Sequence, residues 1–255
     1  MSIQEICRVR VREQLADGLY RLVLDAPRIA PAAQCGQFVH LACGEGNLLR
    51  RPISICLAEE GALHLVFQVK GEGTKWLAAR KEGDEIDTLG PLGHGFDVKA
   101  LGAKPILIGG GIGVPPMLMT AKCAAAAGAS PRAVLGFRGK GAVILESEFA
   151  AVCETFVTTD DGSYARHGFV TDVLRDLAGD ATGVAACGPK PMLRAIAEIA
   201  QQAGLPCQVS LEERMGCGIG ACLVCACALK SENGEIRYGH VCKNGPVFPA
   251  EEVAW

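Results

Sequence analysis

The chain has 255 residues, of which 49% are hydrophobic, and a formal net charge of −3. That length supports about two domains with a small appendage, and the absence of a basic stripe argues against nucleic acid as a partner. The N-terminal "MSIQEICRVRVREQ" mixes charge with apolar residues, unlike a signal peptide, and "PILIGGGIGVPPMLM" is too short and too interrupted by glycine and proline for a span of about 20 apolar residues. A cytoplasmic protein with no membrane partner is expected.

From residue 1 to about 99 the chain reads as short strands. "ICRVRVRE" and "LYRLVLDA" are separated by Asp17-Gly18, a hairpin signal. "GQFVHLAC", "PISICLA" and "ALHLVFQVK" follow, each bounded by glycine, proline or charge. Many strands with little helix predict an antiparallel β-barrel. One short helix is expected at "GTKWLAARK", capped by Thr74. Within this part "LLRRPISI" holds Arg50, Arg51, Pro52 and Ser54. An arginine fork can pair with a pyrophosphate, and a serine just past the proline can bond the edge of a flavin. A surface arginine pair before a strand explains the same residues without a ligand. "GEGTKW" and "LGPLGHGF" add two glycine turns. Gly73 and Thr74 open the expected helix, whose N-terminal N–H groups suit a phosphate or simply an ordinary cap.

Beyond residue 100 the texture changes. "KPILIGG" is a continuous apolar run, as a parallel strand buried on both faces should be. "PPMLMTAKCAAAAG" opens with proline and closes with Gly128, so it reads as a helix. "RAVLGFR", "ETFVTTDD", "GVAACG" and "CQVSLEE" read as strands. "LESEFAAV", "FVTDVLRDL" and "KPMLRAIAEIAQQAG" read as helices. The alternation predicts an open parallel α/β sheet over 100–212. "ILIGGGIGVPPM" is a strand-to-helix turn in the right context for a dinucleotide, although Pro116 stands where a third glycine belongs. "ACGPKPML" is a second such turn. It places Cys187 at the carboxyl end of a late strand, facing the crevice where such sheets bind ligands; a buried thiol is the equal alternative. In "TTDDGSYARHGFV", Asp160, Asp161 and Arg166 lie either near a nucleotide ribose or, more simply, in a solvated loop.

The tail from residue 213 is different again. Eight of the thirteen cysteines are scattered among apolar residues, whereas five fall after residue 212. With no secretory signal the thiols should stay reduced. Cys217, Cys222 and Cys225 are spaced C-x4-C-x2-C, and Cys242 follows a hairpin turned at Asn233-Gly234. This is the plant-type ligand spacing of a [2Fe–2S] cluster. A bulky, negatively charged cluster needs backbone N–H groups aimed at its sulfurs. Gly216, Gly218 and Gly220 permit that close approach and positive φ. A structural zinc site is the competing reading, though zinc sites more often use two separated C-x2-C pairs. Cys227 is left over and is assigned to packing, with a ligand swap as its alternative.

In their order, "RPIS", "GEGT", "LGPLGHGF", "GGGIGVPPM", "CGPKPM" and "CGIGACLVCAC…VCKNGPVF" resemble the ferredoxin reductase superfamily over essentially the whole chain. More narrowly, they resemble the electron-transfer subunits of bacterial class 1B dihydroorotate dehydrogenases. The resemblance implies three parts: an FAD-binding antiparallel β-barrel (1–99), an NAD-binding parallel α/β domain (100–212) and a small [2Fe–2S] module (213–255). It implies that Arg51, Pro52, Ile53, Ser54, Val66, Phe67, Gln68, Gly73 and Thr74 bind FAD. Gly109, Gly110, Gly111, Gly113, Gly188 and Pro189 would face NAD(H), with Cys187 the candidate catalytic residue. Cys217, Cys222, Cys225 and Cys242 would hold the cluster. One departure is that Phe67-Gln68 stands where the family often has Tyr-Arg, which changes a polar contact to the flavin.

The function implied is electron transfer in pyrimidine biosynthesis between NAD(H), FAD, the cluster and the FMN of a dihydroorotate dehydrogenase catalytic subunit, in a heterotetramer. A TIM barrel of about 250 residues, the scaffold that oxidises dihydroorotate in that family, has no room here; the substrate chemistry is expected on the partner. Two rivals stand beside this. The same fold serves sulfite reductases, ferredoxin–NADP transhydrogenases and hydrogenases. A non-catalytic module binding zinc through its tail is the other.

Overall fold

A computed structural model describes residues 2–231 and 233–255. Six strands close a barrel: β1 (Ile3–Ala16), β2 (Leu19–Asp25), β3 (Phe38–Leu41), β4 (Arg51–Glu59), β5 (Ala62–Gln68) and β6 (Glu85–Leu92), in the order β1-β2-β5-β4-β3-β6. Every neighbouring pair is antiparallel. The β1–β2 turn uses Asp17-Gly18, with Gly18 at φ +66°. The seven-residue helix α1 (Glu72–Ala78) connects β5 to β6.

A seven-stranded sheet follows, ordered β10-β9-β8-β7-β11-β12-β15. Its strands are β7 (Pro105–Gly110), β8 (Arg132–Phe137), β9 (Glu154–Thr159), β10 (Arg166–His167), β11 (Gly183–Cys187), β12 (Cys207–Ser210) and β15 (Val247–Pro249). The helices between them are α2 (Val114–Ala126), α3 (Glu146–Ala150), α4 (Val170–Leu177) and α5 (Lys190–Gln202). All six residues of β7 are buried, because the sheet is covered on both faces. Alternate residues divide between two cores. Leu107, Ala133, Leu135 and Ala185 join the barrel interior and α2. Ile106, Ile108, Val134 and Val184 join α4, α5 and the tail.

Two features differ from the sequence expectation. Thr74 is not the cap of α1. The helix opens at Glu72 with Gly71 as its N-cap, and Thr74, on its first turn, accepts hydrogen bonds from Lys70 N at 2.9 Å and Gly71 N at 3.1 Å. The reason is local: Gly71 has no side chain to cap with, so the hydroxyl reaches back from inside the helix. The tail also does more than form its own hairpin, β13 (Ala226–Lys230) with β14 (Ile236–His240), followed by the short α6 (Val241–Asn244). Its last strand, β15, pairs antiparallel with β12 and closes the edge of the parallel sheet. Phe38 and Leu92 from the barrel and Phe248, Leu229, Cys225 and Cys242 from the tail belong to one buried cluster. A small glycine-rich segment thus draws its core from the rest of the molecule.

Candidate cofactor and cluster sites

Cys217, Cys222 and Cys225 lie in the irregular loop between β12 and β13, and Cys242 lies on α6. Gly218 and Gly220 have φ of +74° and +80°, a conformation that side chains resist. Gly216 serves closeness instead: a Cβ there would stand 3.4 Å from the Cys222 Sγ. The loop turns its N–H groups inward. Gly220 N donates to Cys242 Sγ at 3.2 Å and Ala221 N to Cys217 Sγ at 3.3 Å. Burial by itself would raise the Cys217 thiol, but bonds from the backbone of Ile219, Cys222 and Ala221 outweigh it and pull the pKa to about 6. Cys242 is pushed up to about 12 by burial and by its bond with Cys225. Two neighbouring thiols cannot both ionise cheaply unless a cation stands between them.

Cys222 lies near enough to Cys217, and Cys225 to Cys242, for each thiol to shift its neighbour's protonation. Among the described residues no three His, Cys, Asp or Glu side chains converge on one metal position. Four thiols in two pairs fit two irons, each taking two cysteines. Cys227 stands apart, buried on β13 in the same row as Leu229, and has the packing role.

The barrel strands carry the flavin motif. The β4–β5 ladder ends at Ile55 opposite Leu65, after a register shift. Past that point β4 pairs only with β3, with Ser54 opposite Phe38 and Pro52 opposite His40, while β5 pairs only with β2. The two strands therefore part where residues 51–54 and 66–68 face each other. Their facing backbone edges are open to a planar ligand. Val66 and Phe67 are buried, Phe67 stacked on Tyr20 with ring centroids 6.2 Å apart, whereas Gln68 is exposed. With both side chains packed, residues 66–67 present only backbone to the open edge, and a ring hydroxyl at 67 would enter a packed stack.

The two arginines divide their work. Arg50 is a strut of the barrel: its guanidinium donates to Asp87 O at 2.9 Å and pairs with the Asp87 carboxylate at 2.5 Å. Arg51 bends over the start of α1, where a Cβ on Gly73 would come within 2.8 Å of its guanidinium carbon. Its Nη2 donates to Asn47 Oδ1 at 3.2 Å. Arg51, Gly73 and Thr74, 22 or more residues apart in sequence between the first and the other two, therefore form one corner suited to a pyrophosphate.

The nucleotide turns meet as directly. Cys187 on β11 lies opposite Gly109 on β7. A Cβ on Gly113 would stand 2.5 Å from the Cys187 carbonyl carbon and 2.7 Å from Gly188 N. One on Gly110 would stand 3.2 Å from the Pro189 ring. Gly111, at φ +54°, faces open space. Six of the seven residues named for NAD(H) thus pack on one another, and the seventh borders a void. The Cys187 thiol is half-buried, opposite Ser210 on β12. Burial pushes it up to about 12, against a partly offsetting bond from Ser210. It stays protonated at neutral pH and is a neutral donor or packing group, not a thiolate. In the loop after β9, the Asp161 carboxylate is held by Ser163 N at 2.9 Å, and Arg166 pairs with Asp176 at 2.5 Å. Both are exposed, Asp161 in the turn after β9 and Arg166 on the short edge strand β10. The turn "LGPLGHGF" is drawn to the tail: His94 N donates to Gly245 O at 2.6 Å.

Sequence reasoning missed His40. It is fully buried on β3, beneath the cluster loop: a Cβ on Gly218 would stand 2.7 Å from its Nδ1. The alternation Phe38-x-His40 was the available signal, since it puts both rings on the face of β3 opposite Val39 and Leu41.

Known proteins resemble this chain in its tail and over its whole length. The family model described as the iron–sulfur cluster binding domain of dihydroorotate dehydrogenase B matches residues 212–254. A Geobacillus thermodenitrificans protein named dihydroorotate dehydrogenase B (NAD+), electron transfer subunit, is 45% identical over 248 residues, 95% of each chain. Its Bacillus caldolyticus counterpart is 44% identical over 256 residues, 98% of each chain. Among solved structures, a chain of the NADH-dependent reduced ferredoxin–NADP oxidoreductase, a flavin-based electron-bifurcating system, superposes with a TM-score of 0.88. It is 31% identical, with 98% of this chain and 90% of that chain covered.

Proposed function

The chain belongs to the family of dihydroorotate dehydrogenase B (NAD+) electron transfer subunits, and from that premise we propose how its residues divide the work. It is a flavin and iron–sulfur oxidoreductase subunit that uses FAD, a [2Fe–2S] cluster and NAD(H), and it serves a separate catalytic subunit. Hydride chemistry moves two electrons together and a cluster takes one at a time, and FAD, when bound, converts between the two.

The polypeptide supplies binding and orientation. Arg51 with the first turn of α1 holds the pyrophosphate, and Ser54 with the open edge of 66–68 holds the flavin ring between β4 and β5. Gly109, Gly110, Gly111 and Gly113 with the 187–189 turn seat the nicotinamide nucleotide, and the protonated Cys187 packs beside it without taking up charge. The inward N–H groups of Ile219, Gly220 and Ala221 stabilise the cysteine thiolates that receive the cluster.

The partner is read as a subunit carrying FMN, in a two-plus-two assembly in the cytoplasm, with dihydroorotate oxidised and NAD+ reduced. What supports a docked partner is the surface around the cofactor loops. Leu48 and Leu223 are 97% and 76% exposed, with Leu49, Ile219 and Val224 also exposed, on loops next to the flavin strand and between the cluster cysteines. The observation that carries the whole reading is the gathering of three thiols of a glycine loop and a fourth on α6, with the loop laid against the flavin-bearing barrel. Purified alone under nitrogen, the chain should be yellow-brown and hold FAD, two irons and two sulfides. It should reduce artificial acceptors with NADH and fail to oxidise dihydroorotate. A colourless protein carrying zinc would overturn the reading. Mass identification of the co-purifying subunit separates this partner from that of another flavin reductase complex.

A further inference from the structure

His40 has no assigned part in this scheme, yet its position is unusual on three counts. It is fully buried, and neither ring nitrogen has a hydrogen-bond partner in the polypeptide. Leaving a buried donor or acceptor unmet costs about 1–3 kcal/mol, so native proteins rarely do so without a reason. Packing alone does not explain the residue. Its companion on the same face, Phe38, is apolar and stands edge-on to it at 6.1 Å, so an apolar ring would suit position 40 as well.

The second count is what lies against the ring. Gly218, the residue after Cys217, comes so close that a Cβ would stand 2.7 Å from Nδ1 and 2.9 Å from Cε1. Gly218 is also at φ +74°, so the cluster loop is shaped to admit the imidazole. The third is what lies beneath it. His40 pairs with Pro52 of the flavin motif, and its carbonyl accepts from Arg50 at 3.4 Å. The ring is thus a buried polar side chain of the flavin-bearing barrel that lies directly against the cluster loop.

Resting on the function proposed above, we infer that His40 is a positioning residue that donates its imidazole N–H to the sulfur shell of the cluster held by Cys217, Cys222, Cys225 and Cys242, and so sets the cluster's potential. The fit is chemical. A neutral imidazole carries one N–H donor, and a cluster's sulfurs are acceptors whose hydrogen bonds tune its potential. Such a bond stabilises the reduced, more negative state. In the polypeptide, burial, reinforced by Arg50 and Arg51, holds the His40 pKa down to about 4.

The test is potentiometry and EPR of the anaerobic holoprotein with His40→Leu and His40→Gln. His40→Leu should keep FAD, two irons and two sulfides. At a given potential its reduced-to-oxidised cluster ratio should fall about tenfold, a drop of about 59 mV for one electron, with altered cluster g-values. His40→Gln, which keeps a donor, should recover most of the shift. An unchanged cluster potential and EPR spectrum in His40→Leu would sink the proposal, as would a shift confined to FAD. Should His40→Leu fail to load iron, wild-type protein with 15N-labelled histidine decides. The reduced cluster should show a weak nitrogen coupling that survives His240→Gln, at the histidine two residues before Cys242; its absence overturns the assignment. Wild-type protein without iron or sulfide would refute the proposed function itself, a result distinct from any of these.

Discussion

The nucleotide turns and the cluster loop are both built on glycine, and they use it in opposite ways. At Gly110 and Gly113 glycine removes side chains so that two strand-to-helix turns can close on each other, and the polypeptide is its own partner there. At Gly218 and Gly220 glycine supplies positive φ so that N–H groups and thiols point inward. There the bonding capacity is left for something else: two thiol pairs, and beside them an imidazole with neither nitrogen engaged. A region whose contacts are complete needs its ligand only for chemistry. A region whose contacts are incomplete needs its ligand for structure as well.

The comparison is sharpest at the cysteines. Cys225→Ser should abolish cluster absorbance and cut iron content to below about half, since a hard hydroxyl replaces a soft thiolate ligand. The tail should also become protease-sensitive, while Leu107→Ala, in the sheet, should cost about 2–5 kcal/mol of stability and leave iron per folded chain unchanged. Iron analysis and limited proteolysis read both. Were Cys225→Ser to keep full iron, the cluster loop would not depend on that ligand and the contrast would fail.

Next comes Gly113→Ala. Its Cβ would stand 2.5 Å from the Cys187 carbonyl carbon, and overpacking of this kind costs about 1–3 kcal/mol. The KM for NADH should rise by about tenfold or more on that scale, with FAD and iron content unchanged. Steady-state kinetics with an artificial acceptor checks it. Arg51→Ala should weaken FAD retention by about 10–100-fold, as loss of a charged hydrogen bond of about 1.5–3 kcal/mol predicts. Arg50→Ala should instead lower thermal stability with a smaller effect on FAD, because that guanidinium is spent on Asp87. Flavin fluorescence on dilution, beside a melting curve, separates the pair.

The gentlest effect is on pH. Burial pushes Cys56, Cys187 and Cys207 each up to about 12 from an ordinary 9.0. Above pH 9 the unfolded chain releases these protons while the folded chain keeps them. Stability present below pH 9 is therefore lost as pH rises toward 12, at about 1.4 kcal/mol per unit for each thiol. Urea midpoints should fall across that window, and Cys56→Ala with Cys207→Ala should flatten the slope. Between pH 6 and 9 Cys187 should resist iodoacetamide.

Much of this is legible in the sequence. Cysteine spacing, the Asp17-Gly18 and Asn233-Gly234 turns, the apolar run of β7 and the proline-opened α2 are local signals. Each reports a conformation decided within a few residues. Cap placement was misread at Thr74 because a glycine cap leaves no side-chain mark and the reaching hydroxyl lies inside the helix.

By itself the sequence determined which residues can bend, pair or ligate: the four thiols, the glycines that let the loop fold around them and the strand-to-helix turns. Tertiary structure alone decided which of two adjacent arginines is held by a carboxylate, where β4 and β5 part, that β15 seals the sheet on which the tail rests, and that His40 lies under Gly218. The physical reason is register. These contacts join segments far apart in the chain, and a shift of one residue in a strand turns every side chain to the other face.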